Sequence, residues 1–290
     1  MILFYWIFRL KARILSWLPI KLLYIFSGFM AFVLCHIVKY RKKVIVSNLQ
    51  NSLPGRSDSE IQKLANSFYR NLSDIAFEII KLESISRTQL EKRVTVEGQD
   101  VLDRISAKKQ GVVVVMSHSG NWEWISQRVC FSGVGFDNIG VVAMEMTNPY
   151  FEKYFTQIRL RLQKGIAEII PFTQTAKYLA SRRHKASMII AIADQSPHKD
   201  QIQYRTSFLN QDTGVFLGPE RIARSLNYAI VFCHVKQTGR GFYKATFELI
   251  TETPQDAPQH FITETHVKML ENDILTDPNA WLWSHRRWKY

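Results

Sequence analysis

A histidine and a glutamate stand five residues apart just after a run of valines. The run spans residues 112–115, followed by His118 and Glu123. An unbroken β-branched run predicts a fully buried strand, and open α/β sheets bind ligands beyond the carboxyl ends of their strands. A nearby carboxylate can fix the tautomer of an imidazole and raise its basicity, as a general base requires. These residues fit general-base catalysis, and they fit a core strand followed by a capped helix equally well.

The spacing of the pair restricts how it could work. Residues five apart on one continuous helix point about 140° away from each other. His118 must therefore precede the helix, and we expect a strand over 111–116, a loop, and a helix over 121–130. Ser119 is a possible nucleophile, but no G-x-S-x-G elbow surrounds it. Ser119 and Gly120 are predicted to be turn residues.

Polar residues also follow a second apolar run. Residues 187–193 predict a strand, which ends at Asp194-Gln195. Two polar clusters at the ends of neighbouring strands would form one site. The alternative is an Asp-Gln-Ser-Pro turn, which these residue types also favour.

Two basic segments could contact anions. Arg159 and Arg161 belong to a predicted helix over 149–165, whose basic face could bind an anion or simply face solvent. Arg286 and Arg287 lie in a chain end rich in tryptophan, residues 281–290. That end could face a membrane, form a phosphate-binding corner, or be a disordered tail, which its tryptophans disfavour.

Strands and helices are predicted to alternate after the first 56 residues. We expect a helix over 57–82, strands at 94–97, 139–146 and 167–171, a loop up to Phe216, and a hairpin over 229–251. A last long helix is expected over 261–275. The pattern predicts one α/β domain over residues 44–290, with a mostly parallel sheet flanked by helices.

The N-terminal region is predicted to be a membrane anchor, residues 1–43. Residues 22–38 carry no charged side chain for 17 residues, the lower limit for spanning a bilayer. Basic residues precede and follow this segment. They would contact anionic lipid headgroups, most simply on the cytoplasmic side of the membrane. We expect a helix that spans the membrane or is embedded along one face, with a buried core helix as the alternative.

The overall composition indicates a polyanionic partner. The chain has 290 residues, 46% of them hydrophobic, and a formal charge of +13. That surplus of positive charge favours binding to lipid phosphates, acidic proteins or nucleic acid. Three dispersed cysteines indicate no disulfide framework, and no spacing typical of a metal site occurs, so we expect no metal.

Several motifs in order resemble the lauroyl and myristoyl acyltransferases of late lipid A biosynthesis, within the lysophospholipid acyltransferase superfamily. His118 to Glu123 resembles the H-x-x-x-x-[D/E] motif of that superfamily. Similar blocks follow at Asn148-Pro149 with its basic helix, Asp194-Gln195, residues 208–223, and the ending from Pro278 to Lys289. H-x-x-x-x-E alone is a weak pattern, whereas five blocks in order, covering nearly the full chain, are strong.

Three positions depart from the family pattern. Met144 stands where an arginine usually precedes Asn-Pro, Asn210 replaces a glycine, and Val215 replaces a threonine. These positions lie in segments that would shape the acceptor or donor pocket, and they leave the implied reaction class intact.

The resemblance implies a membrane-bound O-acyltransferase with a glycerolipid-acyltransferase-like fold. A fatty acyl group would pass from an acyl carrier protein thioester, or from acyl-CoA, to a hydroxyl of a lipid A precursor in lipopolysaccharide biosynthesis. His118 would be the general base, and Glu123 would orient it. Substrate-binding residues would be Asn121, Arg159, Arg161, Asp194, Gln195, Gly218, Arg286 and Arg287. No cofactor is implied, and the enzyme would act on the cytoplasmic face of a bacterial inner membrane.

Three other functions remain as alternatives. The acceptor could be another membrane lipid, such as a lysophospholipid, an ornithine lipid or another glycolipid. A lipid hydrolase using Ser119 is a second alternative, weakened by the missing elbow motif. Nucleic-acid binding is a third, but no recognisable nucleic-acid-binding motif occurs and lipid phosphates already account for the charge, so no nucleic-acid partner is expected.

Overall fold

The computed structural model describes residues 2–290, with side chains from residue 4 onward. The helices within this range are α1 (Ile2–Trp17), α2 (Ile20–Phe32), α3 (Lys42–Ser52), α4 (Asp58–Lys81), α5 (Arg87–Arg93), α6 (Gln99–Ala107), α7 (Trp122–Cys130), α8 (Pro149–Leu160), α9 (Thr175–Ser181), α10 (Gly218–Leu226) and α11 (Phe261–Thr276). The strands are β1 (Val94–Glu97), β2 (Val112–Met116), β3 (Asn138–Ala143), β4 (Ala167–Pro171), β5 (Ser187–Ile192), β6 (Tyr204–Phe208), β7 (Gln211–Val215), β8 (Ala229–Gly239) and β9 (Phe242–Thr251). A π-helical turn, Val33–Ile37, extends α2.

Seven of these strands form one sheet, in the order β1-β9-β8-β2-β5-β3-β4. All neighbouring pairs are parallel except the hairpin β8–β9. The predicted α/β class with a mostly parallel sheet is therefore confirmed. Most of the predicted elements occur, with ends shifted by a few residues because local sequence defines helix ends poorly.

Strand β2 lies in the middle of the sheet and is buried along its whole length. Its side chains alternate between two hydrophobic cores, as strand geometry requires. Val112, Val114 and Met116 pack on one side, whereas Val113 and Val115 pack on the other. Helices cover both faces, so a run without polar residues is the expected sequence for this strand.

The long helix α4 begins where the sequence predicts. Ser57 and Glu60 form a reciprocal capping box at its N-terminus, which satisfies backbone donors that would otherwise lack partners. Alongside it runs α2, which buries Leu23, Ser27 and Ala31. Polar contacts join the two helices, including the hydrogen bond from Tyr24 Oη to Glu78 Oε1, 2.7 Å.

The N-terminal region contains two helices where one apolar segment was predicted. Ile20–Ile37 is long and apolar enough to cross a membrane, but α1 is a separate helix that precedes it. In α1, Tyr5 packs against Tyr150 of α8, with ring centroids 5.2 Å apart. The opposite side of α1 exposes large apolar side chains, among them Trp6 and Leu10.

A second hairpin occupies part of the segment predicted as a loop. Strands β6 and β7 pair in an antiparallel two-stranded sheet. Leu209 and Asn210 connect them with φ of 50° and 63°. Asparagine tolerates the left-handed region better than most residues, so Asn210 can serve where a glycine is usual. The sequence prediction missed this hairpin because Leu-Asn is not a typical two-residue turn.

Candidate active site

His118 and Asp194 lie side by side at the carboxyl edge of the sheet. Each follows its strand by two residues, and the neighbouring strands β2 and β5 pair with Met116 opposite Ile192. Because parallel strands in register end together, the two polar residues reach the same place. His118 Nδ1 lies 2.6 Å from Asp194 Oδ1, and the backbone N–H of His118 donates to Asp194 Oδ2 at 3.1 Å.

Asp194 is buried and fully engaged. Trp281 Nε1 donates a third hydrogen bond to its Oδ2, 2.8 Å long. Burial alone would raise the pKa of this carboxyl group, but the charge of His118 and the three hydrogen bonds outweigh it and lower the pKa to about 2. The ionised carboxylate accepts a hydrogen bond from Nδ1, so in the neutral form of the imidazole Nδ1 carries the proton and Nε2 has the lone pair.

The Nε2 side of the imidazole borders a cavity of about 470 Å³ that His118 helps to line. Gln195 Nε2 lies 3.3 Å from His118 Nε2, and the ring of Trp122 packs edge-on with centroids 5.1 Å apart. An imidazole held by a buried aspartate, with its other nitrogen facing a cavity, is the arrangement of a general base.

Glu123 does not hold the imidazole, contrary to the sequence prediction. Its carboxylate forms a two-pronged ion pair with Arg159 of α8, in which Arg159 Nε lies 2.8 Å from Oε2 and Nη2 contacts Oε1. In the part of the chain that the structure describes, no hydrogen bond joins Glu123 to His118. Asp194 takes the orienting position because the end of β5 lies beside His118, whereas Glu123 turns toward α8 on the first turn of α7.

The turn between His118 and Glu123 is fixed by several contacts. Gly120 has φ of +54°, and a Cβ there would lie 3.0 Å from the ring of Tyr243. Asn121 caps α7 by accepting from the Trp124 backbone, 3.0 Å, and its amide donates to Glu78 Oε2, 2.8 Å. Asn121 is fully buried in this cap, which gives it a structural contact in place of the predicted substrate contact.

Glu78 was not singled out from the sequence, yet it joins three elements behind this turn. It accepts hydrogen bonds from Tyr24, Asn121 and Tyr243. Burial raises the pKa of Glu78 despite these hydrogen bonds. A charged residue on a predicted amphipathic helix gives little sign of such a role, because only the fold shows that its position is buried.

Ser119 is a buried turn residue, as predicted. Its hydroxyl accepts a hydrogen bond from Ser117, 2.9 Å, and its backbone bridges Trp281. Within the described residues, no hydrogen bond joins its hydroxyl to His118. This geometry lacks the nucleophile–base contact of a serine hydrolase.

Two of the arginines that were predicted to bind anions donate hydrogen bonds to backbone carbonyl oxygens instead. Arg161 donates to the carbonyl oxygens of Leu82 and Ile85, and it is not part of the cavity wall. Arg287 is buried and donates to the Gly214 carbonyl at 2.7 Å, and burial lowers its pKa to about 10. Both positions correct the prediction of phosphate contacts, because each guanidinium satisfies buried backbone oxygens.

The remaining predicted residues divide between the cavity and the surface. Arg159, Gln195 and Gly218 line the cavity together with His118 and Glu123. Arg286 is exposed. The apolar part of the wall includes Val141, Met144, Leu160, Ile169, Leu179, Ile192, Phe216 and Ile222.

The tryptophan-rich end of the chain belongs to the core. Trp281 and Trp283 are buried, and Trp288 Nε1 donates to Thr213 Oγ1 at 2.8 Å. The segment is therefore ordered and packed, and Trp281 reaches the sheet edge at His118 and Asp194. The motif was visible in the sequence, but its contact with Asp194 was not.

The family comparison agrees with this geometry. The family model described as bacterial lipid A biosynthesis acyltransferase matches residues 1–290. A comparison with curated proteins finds no match. The match covers the whole chain, including the histidine at the strand end, the basic helix and the tryptophan-rich ending. The chain is therefore an acyltransferase that belongs to the bacterial lipid A biosynthesis acyltransferase family.

Proposed function

We propose that this protein transfers a fatty acyl group from a thioester to a hydroxyl of a lipid A precursor in lipopolysaccharide biosynthesis. The observation that carries the proposal is the His118–Asp194 pair opening onto a largely apolar cavity. An acyl chain needs an apolar enclosure, and its carbonyl needs a base within reach of the incoming hydroxyl.

In the proposed mechanism His118 Nε2 takes the proton of the acceptor hydroxyl. The hydroxyl oxygen forms a bond to the thioester carbonyl carbon, and the carbon–sulfur bond breaks. The thiolate leaves and receives the proton from the imidazolium. Asp194 stabilises the imidazolium while it exists. The protein supplies no covalent intermediate, in keeping with the turn position of Ser119.

Glu123 and Arg159 contribute a polar wall to the same cavity. The carboxylate neutralises a guanidinium whose side chain is only 23% exposed. Burial alone would lower the pKa of Arg159, but Glu123 outweighs that effect and raises it. We propose that the pair shapes the polar end of the donor pocket, where Gln195 and Gly218 also contact substrate.

The donor is proposed to be acyl carrier protein, with acyl-CoA as the alternative thioester. The net charge of +13 favours encounter with an acidic carrier. No cofactor or metal takes part in the proposed reaction. Comparison of acyl carrier protein and CoA thioesters of one chain length, over a range of salt concentrations, tests the donor: the carrier reaction alone should slow steeply with salt.

The protein is proposed to lie on the cytoplasmic side of the inner membrane, with α1 and α2 as its anchor. Helix α4 runs beside α2 and exposes charged residues such as Lys63 and Arg70. If α2 crossed the bilayer in this arrangement, α4 would carry those charges into hydrocarbon at high cost. We therefore infer an in-plane anchor. Cysteines placed at both ends of α2 should react with an impermeant reagent from the same side of sealed vesicles.

The central experiment compares His118→Ala with His184→Ala. His184 is exposed and lies before β5, at the opposite end of that strand from the site. General-base loss should slow transfer about 10²–10⁴-fold with membrane binding unchanged, and Tm should fall because the buried Asp194 carboxylate loses a partner. The control should transfer acyl groups like the unmodified protein. Full activity of His118→Ala would refute the mechanism, and a changed phospholipid profile with unchanged lipid A would refute the acceptor.

A further inference from the structure

A second cavity, which we call the polar groove, lies on the other side of the turn between His118 and Glu123, the catalytic turn. It has a volume of about 780 Å³ and is enclosed by α2, α4, the tip of the β8–β9 hairpin and the segment before Trp281. In the sheet, β2 separates β8 from β5 and β3. The polar groove therefore lies on the β8 side of His118, whereas the apolar cavity lies on the β5–β3 side.

The lining of the groove includes groups that bind sugars and phosphates, beside the carboxylates of Asp74 and Asp277. Asn66, Asn71, Gln237 and Asn279 contribute amides, and Arg70 contributes a guanidinium. Amides donate and accept hydrogen bonds, as sugar hydroxyls require, and arginine matches phosphate geometry.

Several of these groups have no partner within the protein. Among the side chains of residues 4–290, no hydrogen bond or ion pair engages Arg70, Gln237, Thr238 or Ser67. Arg240, by contrast, is held by Asp74 through two hydrogen bonds of 2.7 Å. The groove thus combines a fixed wall with donors and acceptors that are available to a ligand.

The groove also meets both the bilayer anchor and the catalytic turn. Gly28 of α2 lines it, and a Cβ at Gly28 would meet nothing within 4 Å. At its inner end, Asn71, Asp74 and Gln237 also belong to a closely packed cluster that includes Gly120. A lipid whose chains lie beside α2 could therefore place its headgroup next to the turn that carries His118.

From this juxtaposition we infer that the groove binds the phosphorylated sugar headgroup of the acceptor glycolipid, with Arg70 contacting a phosphate. The inference rests on the proposed function. It gives the two substrates separate sites, with the donor acyl chain in the apolar cavity, the acceptor headgroup in the polar groove, and His118 between them.

The test compares Arg70→Ala with Lys63→Ala, a control that removes one exposed charge from the same helix outside the groove. Transfer is measured with lipid A precursor and an acyl carrier protein thioester. Loss of a charged hydrogen bond should raise the acceptor KM about tenfold in Arg70→Ala alone, with the donor KM and thermal stability unchanged. Equal acceptor KM values in the two variants, or an equal rise in the donor KM, would overturn the inference.

A second variant tests the shape of the groove, and a binding assay tests the groove independently of catalysis. Gly28→Phe fills the groove without changing charge, and it should likewise raise the acceptor KM. Equilibrium binding of the detergent-solubilised protein to either lipid A precursor or phosphatidylglycerol measures headgroup binding directly, because detergent already covers the anchor. Arg70→Ala should weaken only the first. Equal weakening of both would show a general anionic surface and overturn the inference. If the unmodified protein transferred no acyl group, the proposed function would fail, while the binding measurement in detergent would still show whether the groove binds the headgroup.

Discussion

Asp194 Oδ1 lies 2.6 Å from His118 Nδ1, although 76 residues separate them in the chain. The contact exists because β2 and β5 are adjacent, parallel and in register. It replaces the expected contact between His118 and Glu123, and it changes which carboxylate should control the imidazole.

Asp194→Asn should abolish most of the activity. The amide carries no charge to stabilise the imidazolium, and its NH2 group would face a donor where the carboxylate now accepts, so we expect kcat to fall about 10³–10⁴-fold. The pH dependence of kcat should change as well. Thermal unfolding provides the control, since the substituted side chain is nearly isosteric. A variant with near-normal kcat would show that Asp194 does not assist the base.

Glu123→Gln should act through Arg159 rather than through the imidazole. The substitution leaves the partly buried Arg159 without its ion pair, which destabilises the fold. We expect a lower Tm, an altered donor KM, and an unchanged pH dependence of kcat. In a double-mutant cycle with Arg159→Gln, the combined effect should be smaller than the sum of the single effects. If Glu123→Gln changed the pH profile as Asp194→Asn does, Glu123 would be the orienting residue after all.

Gly120→Ala should impair both stability and transfer. The residue has a positive φ, and the new Cβ would press against Tyr243 at 3.0 Å. Gly165→Ala is the matched control, because Gly165 has φ of +79° but open space around it. Backbone strain alone costs about 1 kcal/mol, so Gly165→Ala should lower Tm modestly and leave kcat intact. Equal behaviour of the two variants would show that packing of the catalytic turn is unimportant.

His234 should make stability depend on pH. Burial disfavours its charge, but Asp273 and Glu248 outweigh burial and raise its pKa above 6.5. A pKa raised in the folded state stabilises the fold fully below the unfolded value of 6.5, and this contribution disappears as pH rises through the folded value.

The measurement is urea unfolding of His234→Gln below pH 6.5 and well above it. The variant should lose more stability, relative to the unmodified protein, under the acidic condition. Exposed His184→Gln serves as the control and should show no such difference. A loss of equal size at both pH values would mean that the His234 charge contributes nothing.

Much of the architecture follows from local sequence. The valine run at β2, the capping box at Ser57 and the polar residues after two strands each reflect a short-range rule. His118 and Asp194 were therefore identified correctly as neighbours at one sheet edge. The hairpin β6–β7 was missed, since its turn residues are unusual for a two-residue connection.

The partners of those residues depend on the tertiary structure. Asp194, Glu123 and Arg159 all carry full charges, and spacing along the chain does not say which pairs form. Strand order brought Asp194 to His118, and the packing of α8 against α7 brought Arg159 to Glu123. By itself the sequence determined the sheet, the apolar N-terminal segment and the two polar residues, His118 and Asp194, at the carboxyl edge of the sheet. Only the fold decided which carboxylate contacts His118, because ion pairs form between groups that three-dimensional packing brings within a few ångströms.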